Sequence, residues 1–282
     1  MIPAMFDYVR AESVEGAIAA LVEHGDDAKL LAGGHSLLPL MRLRLATPTV
    51  LVDIGRCRDL DDIREDDDQV RIGALTRHHT VETSELLGAE VPLLAHATSQ
   101  VGDPQVRNLG TIGGAIAHGD PASDLPAVLL ALRATLVARG PAGEREIPVD
   151  EFFTGFLETA LAPDEVLTEI RVPKVAGAGW SFQKFHRRAS DWAIVGVAAM
   201  LPRSADGEGA GVAPGVGLVN MAPTPVRAAG TENALAGGSS VAEAAARADE
   251  GLDPSGDLNA STGYRRHLAH VLTRRALQEA GA

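Results

Sequence analysis

The chain has 282 residues, 45% of them hydrophobic, and a formal net charge of −13 from 38 acidic and 25 basic residues. A chain of this length has enough apolar residues for about two domains with buried cores, or three small ones. The acidic balance argues against DNA or RNA as a partner, because domains that bind a phosphate backbone normally present a basic face.

The first elements of the chain predict a small α/β unit. Residues 13–25 have the apolar periodicity of a helix that begins at an N-capping serine and stops at a glycine. A short buried strand at 28–32 runs into a glycine pair, and after a further helix a second strand is expected at 49–54. The first helix is expected to bury Val14, Ala17, Ile18, Leu21 and Val22.

The middle of the chain mixes strands with short helices. Asp66, Asp67 and Asp68 are expected to form a solvated turn between two strands. Two helical patterns between residues 80 and 101 are interrupted at Gly88 and Pro92. The remaining predicted elements are a glycine-rich turn within 107–124, an apolar helix from Leu125, a hairpin about residues 140–143 and a strand at 165–173.

The last third of the chain is predicted to be an antiparallel sheet covered by helices. A linker at 174–180 precedes strands within 180–201 and 215–221, and an exposed loop is expected at 207–215. Two helices close the chain, at 240–251 and 261–281. The second of them is expected to present Tyr264, Leu268, Val271 and Leu272 on one face.

The cysteine content and the apolar runs limit the possible classes of protein further. Cys57 is the only cysteine, so the chain cannot form an internal disulfide, a cysteine-rich zinc site or an iron–sulfur cluster of its own. No apolar run reaches the roughly 18 residues of a membrane span, and residues 1–13 lack the pattern of a signal peptide. The sequence therefore predicts a soluble, cytoplasmic protein without a membrane span.

Two glycine-rich turns carry the strongest functional signal. Residues 30–39 read LLAGGHSLLP, and GTIGG follows about 75 residues later, so each turn combines paired glycines with a small hydroxyl side chain, Ser36 or Thr111. Bare backbone allows N–H groups to converge on a diphosphate without cationic side chains. Neither turn has the lysine of a P-loop or the pattern of a hydrolase elbow, which favours binding over phosphate transfer. Either turn taken singly also fits an ordinary tight turn.

Taken together, the two turns and their surroundings resemble a known family. Residues 30–60 and 107–132 are similar to the FAD-binding medium subunit of molybdenum hydroxylases, especially the carbon monoxide dehydrogenase branch. The similarity continues through residues 169–173, 182–198 and 261–277. It implies an α+β fold in which two α/β subdomains of the PCMH type clasp FAD and a C-terminal antiparallel sheet with helices follows. The implied domain bounds are 1–56, 57–174 and 175–282.

The resemblance also implies which residues contact FAD. Asp124 would accept hydrogen bonds from the ribose or the phosphate-proximal end, Leu167 would meet the adenine end, and His118 would lie near the flavin or simply be satisfied at a turn. The pyrophosphate would be held by Ala32, Gly33, Gly34, His35, Ser36 and Leu37 from the first turn and by Thr111, Gly113 and Gly114 from the second.

The flavin end is expected in the stretch around residues 182–196. Trp192 would cover one face of the ring, and Lys184 would lie near its polar edge, with Asp191 as a partner of that cation. The alternatives are a core aromatic in the C-terminal sheet for Trp192 and a solvated or salt-bridged strand residue for Lys184.

The pair His78-His79 with Glu82 invites a metal interpretation. A third ligand is not visible in the sequence, and the family has no metal in this subunit. A polar cluster at the start of a helix is the favoured interpretation, so no metal site is expected.

The resemblance implies an electron-transfer role. The partners would be a large molybdopterin-containing subunit and a small [2Fe–2S] subunit, assembled as a dimer of heterotrimers. Electrons would pass from the clusters to FAD and on to an external acceptor, and no catalytic acid or base is expected in this chain. Two alternatives stay open: a stand-alone FAD-dependent oxidoreductase, and a nucleotide-binding scaffold subunit without a redox role.

Overall fold

The structure is a computed structural model that describes residues 2–202 and 213–281. In these residues the helices are α1 (Val14–His24), α2 (Leu37–Leu43), α3 (His78–Thr83), α4 (Glu85–Glu90), α5 (Pro92–Ser99), α6 (Pro104–Leu109), α7 (Ile112–His118), α8 (Asp124–Ala131), α9 (Val149–Phe152), α10 (Ala229–Ala236), α11 (Val241–Ala245) and α12 (Thr262–Glu279). The strands are β1 (Asp7–Arg10), β2 (Ala28–Leu31), β3 (Val50–Asp53), β4 (Ile63–Asp66), β5 (Gln69–Gly73), β6 (Thr135–Gly140), β7 (Gly143–Pro148), β8 (Phe153–Gly155), β9 (Glu158–Thr159), β10 (Val166–Pro173), β11 (Gly179–Phe185), β12 (Val195–Leu201), β13 (Gly215–Val219) and β14 (Val226–Arg227). This mixture of helices and sheets confirms the predicted α+β class.

The first sheet is parallel, in the order β1-β3-β2, and α1 packs against it. Ser13 caps α1 by accepting a hydrogen bond from the Gly16 N–H at 3.1 Å, and Gly25 ends the helix, both as predicted. Val22 is 58% exposed because it lies at the edge of the buried stripe, so its predicted burial is wrong. The sequence does not predict β1, since a four-residue strand carries too little periodicity and forms here by pairing with the edge of β3.

The second sheet is antiparallel, in the order β4-β5-β10-β6-β7. The aspartate turn between β4 and β5 and the β6–β7 hairpin are confirmed. The sheet packs against α5, α7 and α8 in the largest hydrophobic core. α4 runs through Gly88, so the predicted interruption there is wrong, whereas Pro92 does begin a new helix. The first break falls at Ser84, whose hydroxyl accepts from the Leu87 N–H at 3.3 Å and thereby starts α4.

The third sheet is antiparallel, in the order β11-β12-β13-β14. α12 covers one of its faces and α8, from the middle of the chain, covers the other. Leu268 and Leu272 are buried on α12 as predicted, but Tyr264 is 43% exposed and Val271 only half-buried. The residues of α12 that are buried are those that pack against the third sheet. This buried face contains Arg265 and not Tyr264.

Smaller differences from the predicted elements occur near the C-terminus. The linker is shorter than predicted, because residues 179–180 already belong to β11. The helix expected at 240–251 is confined to α11, and the sequence does not predict α10. Residues 207–212 of the predicted loop lie outside the described residues. No helix in the described residues is both long enough and apolar enough to cross a membrane.

Each main sheet belongs to a different part of the chain. The first lies within residues 1–56, the second within 57–174 and the third within 175–282, and three buried hydrophobic clusters accompany them. The bounds of the three domains stay a prediction, since the largest cluster continues from the second sheet into β11, β12 and β13. The three sheets meet around a large cavity.

Candidate functional site

The cavity has a volume of about 980 Å³ and draws its lining from all three sheet regions. The first region contributes the end of β2 and the start of α2, the second contributes α7 and β10, and the third contributes β11 and the loop before β12. Every residue predicted to contact the cofactor lines this one cavity: Ala32, Gly33, Gly34, His35, Ser36, Leu37, Thr111, Gly113, Gly114, His118, Asp124, Leu167, Lys184 and Trp192. That each of them contacts FAD stays a prediction.

The first glycine turn presents unused backbone donors to the cavity. Within the described residues, the N–H groups of residues 33–36 make no hydrogen bond to a protein acceptor. Gly34 has a φ of +75°, a left-handed conformation that glycine adopts without strain. The chain then enters α2, with the Leu38 N–H bonded to the Gly34 carbonyl at 3.1 Å. This turn therefore has the open N–H groups that an anionic group requires.

The second glycine turn is the beginning of α7. Thr111 is its N-cap, and its hydroxyl accepts from the Gly114 N–H at 3.1 Å. The N–H groups of Ile112 and Gly113 donate to the carbonyls of Thr76 and Ala74, so they are not free for a ligand. The expectation of bare backbone donors is thus wrong for these two groups, because α7 is anchored to the segment that follows β5. What this turn can offer a ligand is the hydroxyl of Thr111 and the surface of Gly114.

The two turns touch each other directly. A Cβ placed on Gly33 would lie 2.8 Å from the Cα of Gly110 and still closer to the carbonyl oxygen of Leu109. The glycine at position 33 is therefore required by close approach of two backbone segments. This contact brings residues 33–36 and Thr111 to one side of the cavity.

A buried ion pair lies in the cavity wall formed by α8 and β11. Lys184 Nζ lies 2.6 Å from Asp124 Oδ2 and donates a second hydrogen bond to the Gln100 carbonyl at 3.0 Å. The side chains are only 3% and 6% exposed, and Asp124 Oδ1 has no partner among the described residues. Burial raises the pKa of Asp124 to about 6, against the opposing effect of Lys184.

This pair corrects the predicted surroundings of Lys184. Its carboxylate partner is Asp124 and not Asp191, whose backbone N–H instead closes a turn onto the Arg188 carbonyl. Asp191 lies seven residues along the chain from Lys184, whereas Asp124 lies 60 residues away on another helix. Of the two alternatives for Lys184, a solvated strand lysine is wrong because the side chain is buried, and a salt-bridged strand lysine is confirmed by the pair with Asp124.

Trp192 and His118 line the cavity at separate elements. Trp192 precedes β12 and is 59% exposed, so the alternative of a core aromatic is wrong. His118 is the last residue of α7, next to Gly119, and burial lowers the pKa of its imidazole.

One more wall of the cavity is formed by residues that the sequence does not identify as part of the site, except for Leu167. We call residues 153–167 the wall segment. It contains β8, β9, the loop after them and the start of β10, and it contributes Thr154, Leu157, Glu158, Thr159, Leu161, Ala162, Pro163, Glu165, Val166 and Leu167. The only signal in the sequence is its position, directly before the strand that carries Leu167.

Arg145 fastens the wall segment to β7. Its guanidinium donates to both carboxylate oxygens of Glu165, at 2.7 and 2.8 Å, and to the Ala160 carbonyl at 2.7 Å. Glu165 also accepts from the Ala162 N–H at 2.8 Å. These hydrogen bonds hold the pKa of Glu165 below its ordinary value. Arg145 thus binds both the first and the last residue of the loop at 160–165.

His78 also lines the cavity, and the sequence does not single it out as a ligand contact. It begins α3 and is 4% exposed, and its Nδ1 has no hydrogen-bond partner among the described residues. Its neighbour His79 bonds Glu82 at 3.0 Å, and Glu82 pairs with Arg107 at 2.8 Å. The residues of the metal interpretation therefore form a polar cluster at a helix start. Within the described residues, no group of three or more His, Cys, Asp or Glu side chains is placed to hold a metal ion.

The buried imidazole predicts a pH dependence of stability. Burial lowers the pKa of His78 to about 4, below the value of about 6.5 in the unfolded chain. As the pH falls, the unfolded chain takes up the proton first, so the contribution of His78 is complete above about pH 6.5 and is lost towards pH 4. We expect wild type to lose about 3 kcal/mol of unfolding free energy through this group over that interval.

Urea unfolding of His78→Gln at several pH values tests this expectation. The variant should lose less stability than wild type on acidification, because glutamine does not titrate. His79→Gln, on the exposed side of the same helix, is the control and should follow wild type. An equally steep loss in wild type and His78→Gln would contradict the assignment.

Comparisons with known proteins identify the family of the chain. The profile of the family described as the FAD binding domain in molybdopterin dehydrogenase matches residues 4–175. The profile described as the CO dehydrogenase flavoprotein C-terminal domain matches residues 180–280. The chain belongs to the family of FAD-binding subunits of molybdopterin dehydrogenases. It is an FAD-binding medium subunit of the molybdenum hydroxylase type, and we refer to it below as the medium chain.

Individual relatives cover the whole medium chain. The carbon monoxide dehydrogenase medium chain of Hydrogenophaga pseudoflava is 44% identical, with 100% of this chain and 99% of that one covered. The 6-hydroxypseudooxynicotine dehydrogenase complex subunit alpha of Paenarthrobacter nicotinovorans is 39% identical, with 99% and 96% covered. The solved structure of carbon monoxide dehydrogenase from H. pseudoflava that lacks the Mo-pyranopterin moiety superposes with a TM-score of 0.95, covering 99% of this chain and 98% of that one.

The residues of the cavity fit the FAD that the family implies. Its volume is at the upper end of the roughly 300–1,000 Å³ common for small-molecule sites. The described lining contains two lysines and no arginine, and one of the lysines is already paired with Asp124. The other lysine of the lining is Lys29, and residues 33–36 add backbone N–H groups that have no protein acceptor among the described residues and can bind a diphosphate.

Proposed function

We propose that the medium chain holds FAD in the 980 Å³ cavity and transfers electrons from a [2Fe–2S] partner chain to an external acceptor. The observation that carries the proposal is the convergence of all the predicted contact residues, from three parts of the chain, on one cavity. Bound FAD supplies the redox chemistry, since it can accept electrons singly and release them as a pair. The chain itself binds and orients the cofactor.

Each element around the cavity has its own part in this proposal. The N–H groups of residues 33–36 donate to the pyrophosphate, and the Thr111 hydroxyl supports it from the side of α7. Asp124, which lines the cavity, accepts a hydrogen bond from a hydroxyl of the cofactor. Lys184, whose charge is balanced by Asp124, lies near the flavin end, where Trp192 covers one face of the ring. None of these side chains is assigned as a catalytic acid or base.

The proposed partners are a large molybdopterin-containing subunit and a small [2Fe–2S] subunit, in a dimer of heterotrimers. The related chains are medium chains and subunits of multi-subunit dehydrogenases. Cys57, the only cysteine, is buried, so the cysteine ligands of iron–sulfur clusters must come from another chain. The location of this assembly in the cytoplasm stays a prediction.

The substrate is proposed to be selected on the large subunit. Relatives 44% and 39% identical over almost their whole length belong to enzymes named for carbon monoxide and for 6-hydroxypseudooxynicotine. Two chains this similar to the medium chain thus serve very different substrates. The cavity of the medium chain is accordingly assigned to the cofactor alone.

Purification of the medium chain, by itself and with its two partner chains, tests the proposed function. We expect the isolated chain to take up FAD and show the visible flavin absorption bands. The bands should bleach with substrate only when both partner chains are present. Bleaching of the isolated chain by a substrate would favour a stand-alone oxidoreductase.

A complex assembled with Gly34→Val separates a redox role from a scaffold role. Valine at a φ of +75° is strained, so this variant should not hold FAD. Substrate should still reduce the clusters of the partner chain, while turnover with an external acceptor should be lost. Unchanged acceptor turnover in a complex without flavin would support the scaffold alternative and refute the electron-transfer role.

A further inference from the structure

Leu157 has a backbone conformation that its residue type rarely adopts. Its φ is +58°, in the left-handed region where Cβ crowds the following carbonyl oxygen. The other non-glycine residues with positive φ among the described residues are Arg44, Asp67, Arg133 and Asn220. Leu157 is the only apolar residue in that group and the only one that lines the cavity. Its strain therefore coincides with the binding site.

The strain arises in the turn between β8 and β9. Gly155 pairs with Glu158, which leaves Phe156 and Leu157 as the two central residues of a tight turn. A turn whose second central residue is left-handed normally has Gly or Asn at that position. The two side chains have different surroundings: Leu157 lines the cavity and is 40% exposed, whereas Phe156 is 63% exposed and lies outside the lining.

The surroundings hold this turn on both sides. The Ala160 N–H bonds the Phe152 carbonyl at 2.8 Å, and Arg145 bonds the Ala160 carbonyl and Glu165. Gly119, at the end of α7, packs against β9. A Cβ placed on Gly119 would lie 3.2 Å from Thr159 Cγ2. Strained residues persist where the surrounding structure determines them, and they cluster at ligand sites.

We propose that Leu157 is a cofactor-binding residue whose side chain packs against one of the two planar ring systems of FAD. This inference rests on the proposed function, namely that the cavity holds FAD. An aliphatic side chain that is part-exposed on the wall of a cavity offers the apolar surface that a flat heteroaromatic ring covers. The strained turn is what directs Leu157, and not Phe156, to the cavity.

Equilibrium binding of FAD to the full chain freed of cofactor tests the assignment. Leu157→Ala should raise the dissociation constant for FAD roughly 5- to 30-fold, because most of the apolar contact is lost. Phe156→Ala, the adjacent exposed residue, is the matched control and should bind as wild type does. Leu157→Gly relieves the strain, so its cofactor-free melting temperature should be equal to that of wild type or about 2–4 °C higher, while its FAD affinity falls.

Binding of ADP and of FMN identifies the ring that Leu157 contacts. A loss of ADP affinity alone in Leu157→Ala assigns it to adenine, and a loss of FMN affinity alone assigns it to the flavin. An unchanged FAD affinity, or a loss of FAD affinity without a loss for either half, overturns the proposal. So does a fall in the melting temperature of cofactor-free Leu157→Gly.

FAD binding to two variants distinguishes a failure of the proposed function from a failure of the Leu157 assignment. If Gly34→Val bound FAD as tightly as wild type, the cavity would not be the FAD site. If Gly34→Val lost FAD while Leu157→Ala kept it, only the assignment of Leu157 would be wrong.

Discussion

Replacing Lys184 with methionine is expected to lower the free energy of unfolding by about 3–5 kcal/mol. Among the described residues, Lys184 is the only cation that forms an ion pair with Asp124, and Asp124 Oδ1 has no hydrogen-bond partner, so the substitution leaves a buried carboxylate without a counter-charge. Burial already raises the pKa of Asp124 to about 6, and without Lys184 the pKa should rise further. The destabilisation should therefore shrink as the pH is lowered, because protonation removes the buried charge.

A double-mutant cycle measures the pair by urea unfolding of the cofactor-free chain. Asp124→Leu combined with Lys184→Met removes both charges, so the double variant should recover most of the stability lost in Lys184→Met. It should not recover FAD binding, since both side chains belong to the proposed site. A double variant whose loss equals the sum of the two single losses would show that the two side chains are not energetically coupled.

Substituting Gly33 with alanine is expected to weaken FAD binding by about 100-fold or more. The added Cβ would overlap the backbone of Leu109 and Gly110, so the two glycine turns must move apart. Loss of two hydrogen bonds to a charged pyrophosphate corresponds to roughly 3–6 kcal/mol, which is the basis of this estimate. Titration of the cofactor-free chain with FAD, followed by flavin fluorescence, gives the affinity.

The matched control for Gly33→Ala is Gly88→Ala. Gly88 lies inside α4, and a Cβ there would meet nothing within 4 Å. Alanine should raise the stability of that helix by up to about 1 kcal/mol and leave FAD affinity unchanged. Wild-type affinity in Gly33→Ala would show that contact between the turns is not needed for the FAD site.

These predictions concern residues that the sequence identifies as important by their type. The sequence does not show which distant residues they contact. The sequence predicts that Gly33 gives a phosphate group access to bare backbone, and the structure shows that its Cα faces the backbone of Leu109 and Gly110. The sequence predicts Asp191 as the partner of Lys184, and the structure shows that the partner is Asp124, 60 residues away. In both cases the residue type indicates what the position needs, which is the absence of a side chain at residue 33 and a positive charge at residue 184. The residue that each one contacts depends on how distant segments of the chain pack together.

The wall segment shows the same limit more strongly. Residues 153–165 have no glycine pair, no apolar periodicity and no family motif that identifies them as part of the site. They reach the cavity because Arg145 and the end of α7 hold them there. The strain at Leu157 is a tertiary property as well, since nothing in the letters FTGFLET requires a left-handed leucine.

Short-range chemistry in the chain is sufficient for the capped helix α1, the β6–β7 hairpin and the two glycine motifs, whereas the α+β class is implied by the resemblance to a known family. Caps, turns and apolar periodicity depend on neighbours within a few residues, so they can be recognised before any fold is known. The position of β1, the buried face of α12, the Asp124–Lys184 pair and the wall of the cavity required the tertiary structure. Those features depend on contacts between segments that are tens of residues apart, and it is the packing of the three sheets around one cavity that brings these segments together.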